Sequence, residues 1–281
     1  MNASNTCEIA ATSDTASARV RVGDIALHYE RYGSGEPVLL LHGLGSSTLD
    51  WEPQITAFSQ QYQVVAVDIR GHGQSDKPAG PYSIPGFAAD IANLVSQLGL
   101  GPMHVVGISM GGMVAFQLAV DAPEHVRSLV IINSGPEFPS HTLKAKLVIQ
   151  SRLFMLKYMG MRRLGTAIAK RLFPKPEHEP LRHLFVDRFS SNDPRAYENS
   201  VRAIARFSVA DRLDQIRCPV LVVSSDRDYT PVSAKEAYLP QLASATLVVI
   251  RDAGHACTLD QPDQVNAALL DFMRSQRGAN R

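Results

Sequence analysis

Residues 105–116 read Val105-Val106-Gly107-Ile108-Ser109-Met110-Gly111-Gly112-Met113-Val114-Ala115-Phe116. An apolar β-branched run ends at Gly107, and apolar residues at helical spacing begin after Gly112. Ser109 lies between them, with Gly107 two residues before it and Gly111 two after. This is Gly-x-Ser-x-Gly in a strand–turn–helix context. A turn this sharp forces the serine into a strained backbone, and the flanking glycines leave room because they carry no Cβ. The hydroxyl is thereby presented at a helix N-terminus. Unpaired N–H groups and the helix dipole there favour developing negative charge. The stretch reads as the bed of a nucleophile.

The strand and helix on either side repeat outward through the chain. Strand-like runs fall at 19–22, 25–32, 37–41, 63–67, 103–108, 127–133, 219–224 and 245–250. The first two are joined by a Gly23-Asp24 turn and read as a hairpin. Helical patterns fall at 48–60, 84–98, 110–121, 233–239 and 264–274. Such alternation with short links makes a mostly parallel sheet with helices on both faces, and ligands bind beyond the carboxyl ends of its strands. Residues 136–208 break the alternation with helical patterns at 144–173, 181–189 and 195–207, and are expected to form a cap (lid) over that edge. Residues 19–135 and 209–281 then form the core. Residues 1–18 are polar and small, without the basic start and apolar run of a secretory signal, and read as a flexible tail.

Composition excludes some classes. The chain has 281 residues, 28 Lys and Arg against 27 Asp and Glu, so its near-neutral charge gives no sign of nucleic-acid binding. The longest apolar runs are too short to span a bilayer, and membrane contact is not expected. Cys7, Cys218 and Cys257 are odd in number and lack metal-ligand spacing, which suits reduced thiols in the cytoplasm. No metal or organic cofactor is expected, and oligomeric state is not legible.

A serine hydroxyl needs a base beside it and an acid to orient that base. Gly254-His255 follows the last strand, and His255 is read as the base. Asp228 is read as the acid because it lies deeper in the loop after the 219–224 strand. Asp226 is the rival acid, with loop capping as its plain alternative, and Glu137 is a more remote one. Asp68 and Asp211 are read as loop stabilisers. An oxyanion needs fixed donors; the N–H groups of Leu44 and Met110 are assigned that role. His42, the rival histidine, is read as shaping the substrate pocket.

These residues together resemble the α/β-hydrolase superfamily. The resemblance covers roughly residues 19–135 and 209–275. It rests on His42-Gly43-Leu44-Gly45, Asp68-Ile69-Arg70-Gly71-His72-Gly73-Gln74-Ser75, Gly107 to Gly112, the Asp226–Asp228 loop and Gly254-His255. It implies an α/β-hydrolase fold: an eight-stranded, mostly parallel sheet with helices on both faces and a helical cap. The group it is most similar to contains 3-oxoadipate enol-lactonases, haloperoxidase-like esterases and C–C hydrolases. Ser225 stands where that group usually has glycine, and Pro231 comes one residue early. Serine at position 109 departs from the branches that attack through a carboxylate. Ile108, where C–C hydrolases often have asparagine, favours the ester or lactone branch. The resemblance implies a carboxylesterase-like enzyme that cleaves an ester or lactone through an acyl-enzyme. The alternatives are a C–C bond hydrolase and a non-catalytic receptor or scaffold.

Residues 140–206 hold 14 Lys and Arg against 5 Asp and Glu, an excess that the rest of the chain offsets. Three readings are open: a solvated helix face, a positive rim that draws anionic substrates, or a basic amphipathic surface that touches membranes. Met155, Met159 and Met161 suit a soft apolar wall or plain cap core.

Overall fold

The structure is a computed structural model that describes residues 16–139 and 142–278. Eight strands form one sheet: β1 (Ala16–Val22), β2 (Ile25–Tyr32), β3 (Glu36–Leu41), β4 (Tyr62–Val67), β5 (Met103–Ile108), β6 (Val126–Ile132), β7 (Val220–Ser225) and β8 (Ala245–Ile250). Their spatial order is β1-β2-β4-β3-β5-β6-β7-β8. β2 pairs antiparallel with both β1 and β4, and the pairs from β4 to β8 are parallel.

The central strands show why the sheet is covered twice. In β3 and β4, Leu39, Leu41, Val65 and Val67 join one apolar cluster, while Val38, Leu40, Val64 and Ala66 join the other. Alternate residues of a strand point to opposite faces, and here both faces are apolar. The first cluster takes in α2 (Ile84–Leu98) and α3 (Met110–Asp121); the second takes in α1 (Glu52–Phe58) and α9 (Pro262–Ser275). A fully buried Leu or Val side chain contributes about 1.5–3 kcal/mol. The sheet is therefore a rigid base for whatever its loops carry.

The segment expected as a cap holds α4 (Leu143–Leu172), α5 (Glu179–Ser190) and α6 (Pro194–Ala205). Its ends are drawn together: Glu137 bridges Ser208, and Phe138 N–H donates to Phe207 C=O at 3.0 Å. The helices share a small core of Leu156, Met161, Leu164, Phe189, Tyr197 and Val201, against which Leu44 packs. α4 is broken at Gly160, where φ is +75°, a backbone that glycine adopts at low cost. Two short helices, α7 (Val232–Glu236) and α8 (Cys257–Asp260), complete the core.

The chain departs from the sequence reading at three places. β1 begins at Ala16, so 16–18 belong to the sheet: Ala16, Ser17 and Ala18 pair with Arg31, Glu30 and Tyr29. Backbone pairing with a long partner strand extends it beyond its apolar residues. The rest of the expected tail, 1–15, lies outside the described residues. The helix expected at 233–239 is the shorter Val232–Glu236 followed by a 3-10 turn at Leu239–Gln241, where Pro240 intervenes. The helix expected over 144–173 is present but kinked.

Candidate active site

Parallel pairing sets the carboxyl ends of β3, β5, β6, β7 and β8 along one edge. Ser109 leaves β5 there with φ 54° and ψ −116°. A non-glycine residue in that region is strained and persists only where its surroundings enforce it. Here they do: Ser109 N–H donates to Ile132 C=O at 3.0 Å, and the Ser134 hydroxyl donates to Ser109 C=O at 2.7 Å. A Cβ on Gly111 would come within 2.0 Å of Leu41 C=O, and one on Gly107 within 2.3 Å of Gly111 C=O. Both glycines are thus required for α3 to approach the sheet. The Ser109 hydroxyl does not cap its own helix and is left for other work.

The loop after β3 lies against this turn. A Cβ on Gly43 would sit 3.6 Å from Ser109 Cβ. Met110 occupies the first position of α3, where an N–H has no partner within the helix. Leu44, one residue past Gly43, is half-buried in the same place. Gly45 is covered by α5 and α6: a Cβ there would meet the rings of Phe189 at 2.5 Å and Tyr197 at 3.1 Å.

His255 Nδ1 and Asp228 Oδ1 are 2.7 Å apart, and the Asp228 side chain is wholly buried. Nε2 of His255 is also buried and has no hydrogen-bond partner among the described residues. No hydrogen bond joins it to the Ser109 hydroxyl in this structure, a bond that commonly tightens only once substrate is bound. Asp226 does the other job weighed for it: its carboxylate accepts N–H groups of Asp252 at 2.9 Å and Ala253 at 3.0 Å, shaping the turn before His255. Glu137 lies at the base of the cap, paired with Ser208. Asp68 accepts from Thr48 and Gln74 N–H groups and pairs with His28, and Asp211 lies in a 3-10 turn.

Three residues of this edge were not singled out in the sequence. Lys235 is buried, with Nζ 2.6 Å from Asp228 Oδ2 and 2.7 Å from Thr230 C=O. Burial works to raise the Asp228 carboxyl; the His255 hydrogen bond and the charge of Lys235 outweigh it, and hold the group well below the usual carboxylate range. Asn133, at φ 46° after β6, donates to Ser225 Oγ at 2.8 Å and His255 C=O at 2.9 Å and accepts from Ser225 N–H at 2.8 Å. It ties the ends of β6 and β7 to the histidine loop. The Tyr229 ring stacks on His255, centroids 4.0 Å apart. A polar residue closing an apolar strand was a signal for Asn133. A lysine seven residues after an acid gave none.

His42 lies beneath the candidate site. Its side chain is fully buried; Nε2 accepts Ile69 N–H at 3.0 Å, and Nδ1 lies 2.7 Å from Gly43 C=O. It braces two loops beneath the site, and burial lowers its pKa and keeps it neutral. Cys257 is buried too, which pushes its thiol up to about 12 and leaves it unreactive. Among the described residues no three His, Cys, Asp or Glu side chains are grouped to hold a metal ion. No helix among them is long and apolar enough to cross a membrane.

A family model for the alpha/beta hydrolase fold matches residues 36–262. The chain belongs to the α/β-hydrolase family. RutD of Caulobacter sp. (strain K31), a carbamate hydrolase by provisional name, is 31% identical over 265 residues, covering 89% of this chain and 96% of RutD. The (E)-2-((N-methylformamido)methylene)succinate hydrolase of Acinetobacter baylyi is also 31% identical, covering 88% of this chain and 94% of its own. The crystal structure of the enol-lactonase from Burkholderia xenovorans LB400 superposes with a TM-score of 0.85 at 25% identity, over 92% of this chain and 100% of that one. The chain is a hydrolase.

Proposed function

We propose that this hydrolase cleaves a carboxylic ester or lactone through a Ser109–His255–Asp228 acyl-enzyme mechanism. The observation that carries this reading is the state of His255. Its Nδ1 is held by a buried carboxylate, and its Nε2 is left unpaired at the edge where Ser109 emerges. With Nδ1–H fixed on Asp228, Nε2 bears the lone pair of a general base. Ser109 Oγ attacks the carbonyl carbon and passes its proton to Nε2. The oxyanion is received by the N–H groups of Leu44 and Met110. The tetrahedral intermediate expels the alcohol, which takes the proton from His255. Water then attacks the acyl-enzyme by the same route and releases the acid. In a lactone the expelled alcohol stays tethered to the product.

A second reading, cleavage of an amide-type C–N bond, is supported by the two relatives at 31% identity, whose names are those of a carbamate hydrolase and a formamido-compound hydrolase. The same residues serve it, with an amine as the leaving group. Ser109→Ala is expected to abolish p-nitrophenyl ester turnover, by about 10⁴-fold or more, and labelling by a fluorophosphonate probe. Labelling or turnover retained in this variant would exclude Ser109 as nucleophile.

A further inference from the structure

The arm of α4 before the break at Gly160 is apolar on two sides. Ile149, Leu153 and Leu156 turn inward, to the small core around Phe189 and Tyr197. Leu143, Leu147, Phe154 and Tyr158 turn outward and are 61–79% exposed. Their spacings of four, seven and four residues return to one face of a helix. The four thus form a single stripe, about 22 Å long at the helical rise. Apolar side chains scattered singly on a surface are ordinary, but a contiguous row marks a contact surface.

Charge borders this row. The helical spacing sets Lys146 and Lys157 along one side of the stripe and Lys144 along the other. All three are exposed and join none of the ion pairs among the described residues. α4 as a whole carries eight Lys and Arg and no Asp or Glu. Beside Phe154 and Tyr158 a hollow of about 460 Å³ opens between α4 and α6, with Lys157, Arg195 and Arg202 in its wall. Its one acid, Glu198, is paired with Arg202.

Charge and shape select the occupant. A second copy docked about a two-fold axis would set this face against itself, bases against bases. A folded partner would need a groove matched to a protruding row. An anionic bilayer needs no matching shape: its acyl boundary takes in apolar side chains while its phosphates meet the lysines. The short apolar runs of the sequence exclude a span but not a face. An interfacial helix lies flat, its apolar side buried about 5–10 Å into the headgroup boundary.

We propose that the first arm of α4 is an interfacial helix that docks the protein on an anionic lipid surface. Leu143, Leu147, Phe154 and Tyr158 enter the acyl boundary, and Lys144, Lys146 and Lys157 meet the lipid phosphates. The proposal is independent of which bond the enzyme cleaves.

The test floats the full chain with vesicles of phosphatidylcholine alone and of equimolar phosphatidylcholine and phosphatidylglycerol. The wild type is expected to bind the mixed vesicles about tenfold or more tightly than the neutral ones. Leu147→Gln with Phe154→Gln is expected to lower that binding by about tenfold or more. Lys146→Gln with Lys157→Gln is expected to lower it by about tenfold. Arg21→Gln, which removes an exposed base from the edge strand β1, is expected to leave binding within about twofold of the wild type. All these positions are exposed, and an unchanged thermal melt shows that each variant is folded. A wild type that stays unbound to the mixed vesicles overturns the proposal. So does binding that survives Leu147→Gln with Phe154→Gln, or that falls as far in Arg21→Gln as in the lysine variant. A wild-type dimer in light scattering that the Leu147→Gln, Phe154→Gln variant turns into a monomer would assign the stripe to a second copy and overturn it too.

Discussion

The sheet edge and the cap use charge in opposite ways. At the edge the ionic groups around His255 are occupied by partners that fix geometry. Asp228 has His255 and Lys235, Asp226 has two backbone N–H groups, and Arg70 has Asp90 at 2.7 Å. Over that edge, α4 brings guanidiniums with no acid of its own helix to meet them. The difference teaches where specificity resides. Charges paired within the fold hold the His255 loop still, while the bases of α4 that lack an acid partner contribute a field rather than a fixed geometry. Substitutions at the edge should therefore slow every substrate alike, and substitutions in the cap should change which substrates are preferred.

Lys235→Met would break this comparison most forcefully. Removing one partner of a buried ion pair costs about 3–5 kcal/mol, which a denaturant titration would read directly. Activity should change in a second way. Asp228 lies between Lys235 and His255, and Tyr229 with Arg171 beyond it covers the other side of the imidazole. Without Lys235 the Asp228 carboxylate loses one of the two partners that fix it, and kcat/KM should fall roughly tenfold for every ester alike. An unchanged kcat/KM in a folded variant would reduce Lys235 to a packing residue.

Asn133→Ala sharpens the comparison with a smaller effect. The substitution leaves Ser225 N–H and the His255 loop carbonyl without their partner, a loss of about 1–3 kcal/mol in stability. A loosened histidine loop should lower kcat by roughly 10- to 100-fold, as small misplacements do, with KM little changed. The ratio of kcat/KM between acidic and neutral esters should stay where it is. A variant that altered this ratio would show that the edge also selects substrates.

What could be read from sequence divides along the same line. Local features were legible: Gly107 and Gly111 around Ser109, the apolar strands, and the break in alternation at 136–208. Each is decided by residues adjacent in the chain. Asp226 and Asp228 remained rivals because two carboxylates two residues apart have the same chemistry. Only the direction of each side chain separates a turn-shaping acid from one that meets His255. Lys235, Asn133 and Tyr229 act through partners brought near by folding, and Asn133 reaches across 122 residues to His255. The place of the His42 ring was hidden for a related reason. Its place in a glycine-rich loop suggested the cleft, but its ring turns under the loop to meet Ile69 N–H. In the cap, the excess of bases was plain in the composition, while its division into paired and unpaired arginines was not.

The smallest expected effect concerns acid stability, and it tests whether the edge is held by neutral histidines as well as by ion pairs. His72 is buried against the edge of the His42 ring, centroids 5.1 Å apart. Burial first, and then the neighbouring His42, lowers its pKa to about 3. In the unfolded chain the same group titrates near the ordinary histidine value of about 6.5. Below that pH the unfolded chain binds a proton that the folded one refuses. The stability contributed by neutral His72 is thus complete above about pH 6.5 and declines as pH falls toward about 3. The slope is at most about 1.4 kcal/mol per pH unit for one histidine. Thermal unfolding of the wild type between pH 7.5 and 5 should show Tm falling with pH, and His72→Asn should flatten that fall even though it lowers Tm at pH 7.5. Among the described residues the cap segment has His178 and His183 and no such buried histidine pair, so the flattening belongs to the core. An equal acid slope in variant and wild type would mean that His72 contributes nothing to it.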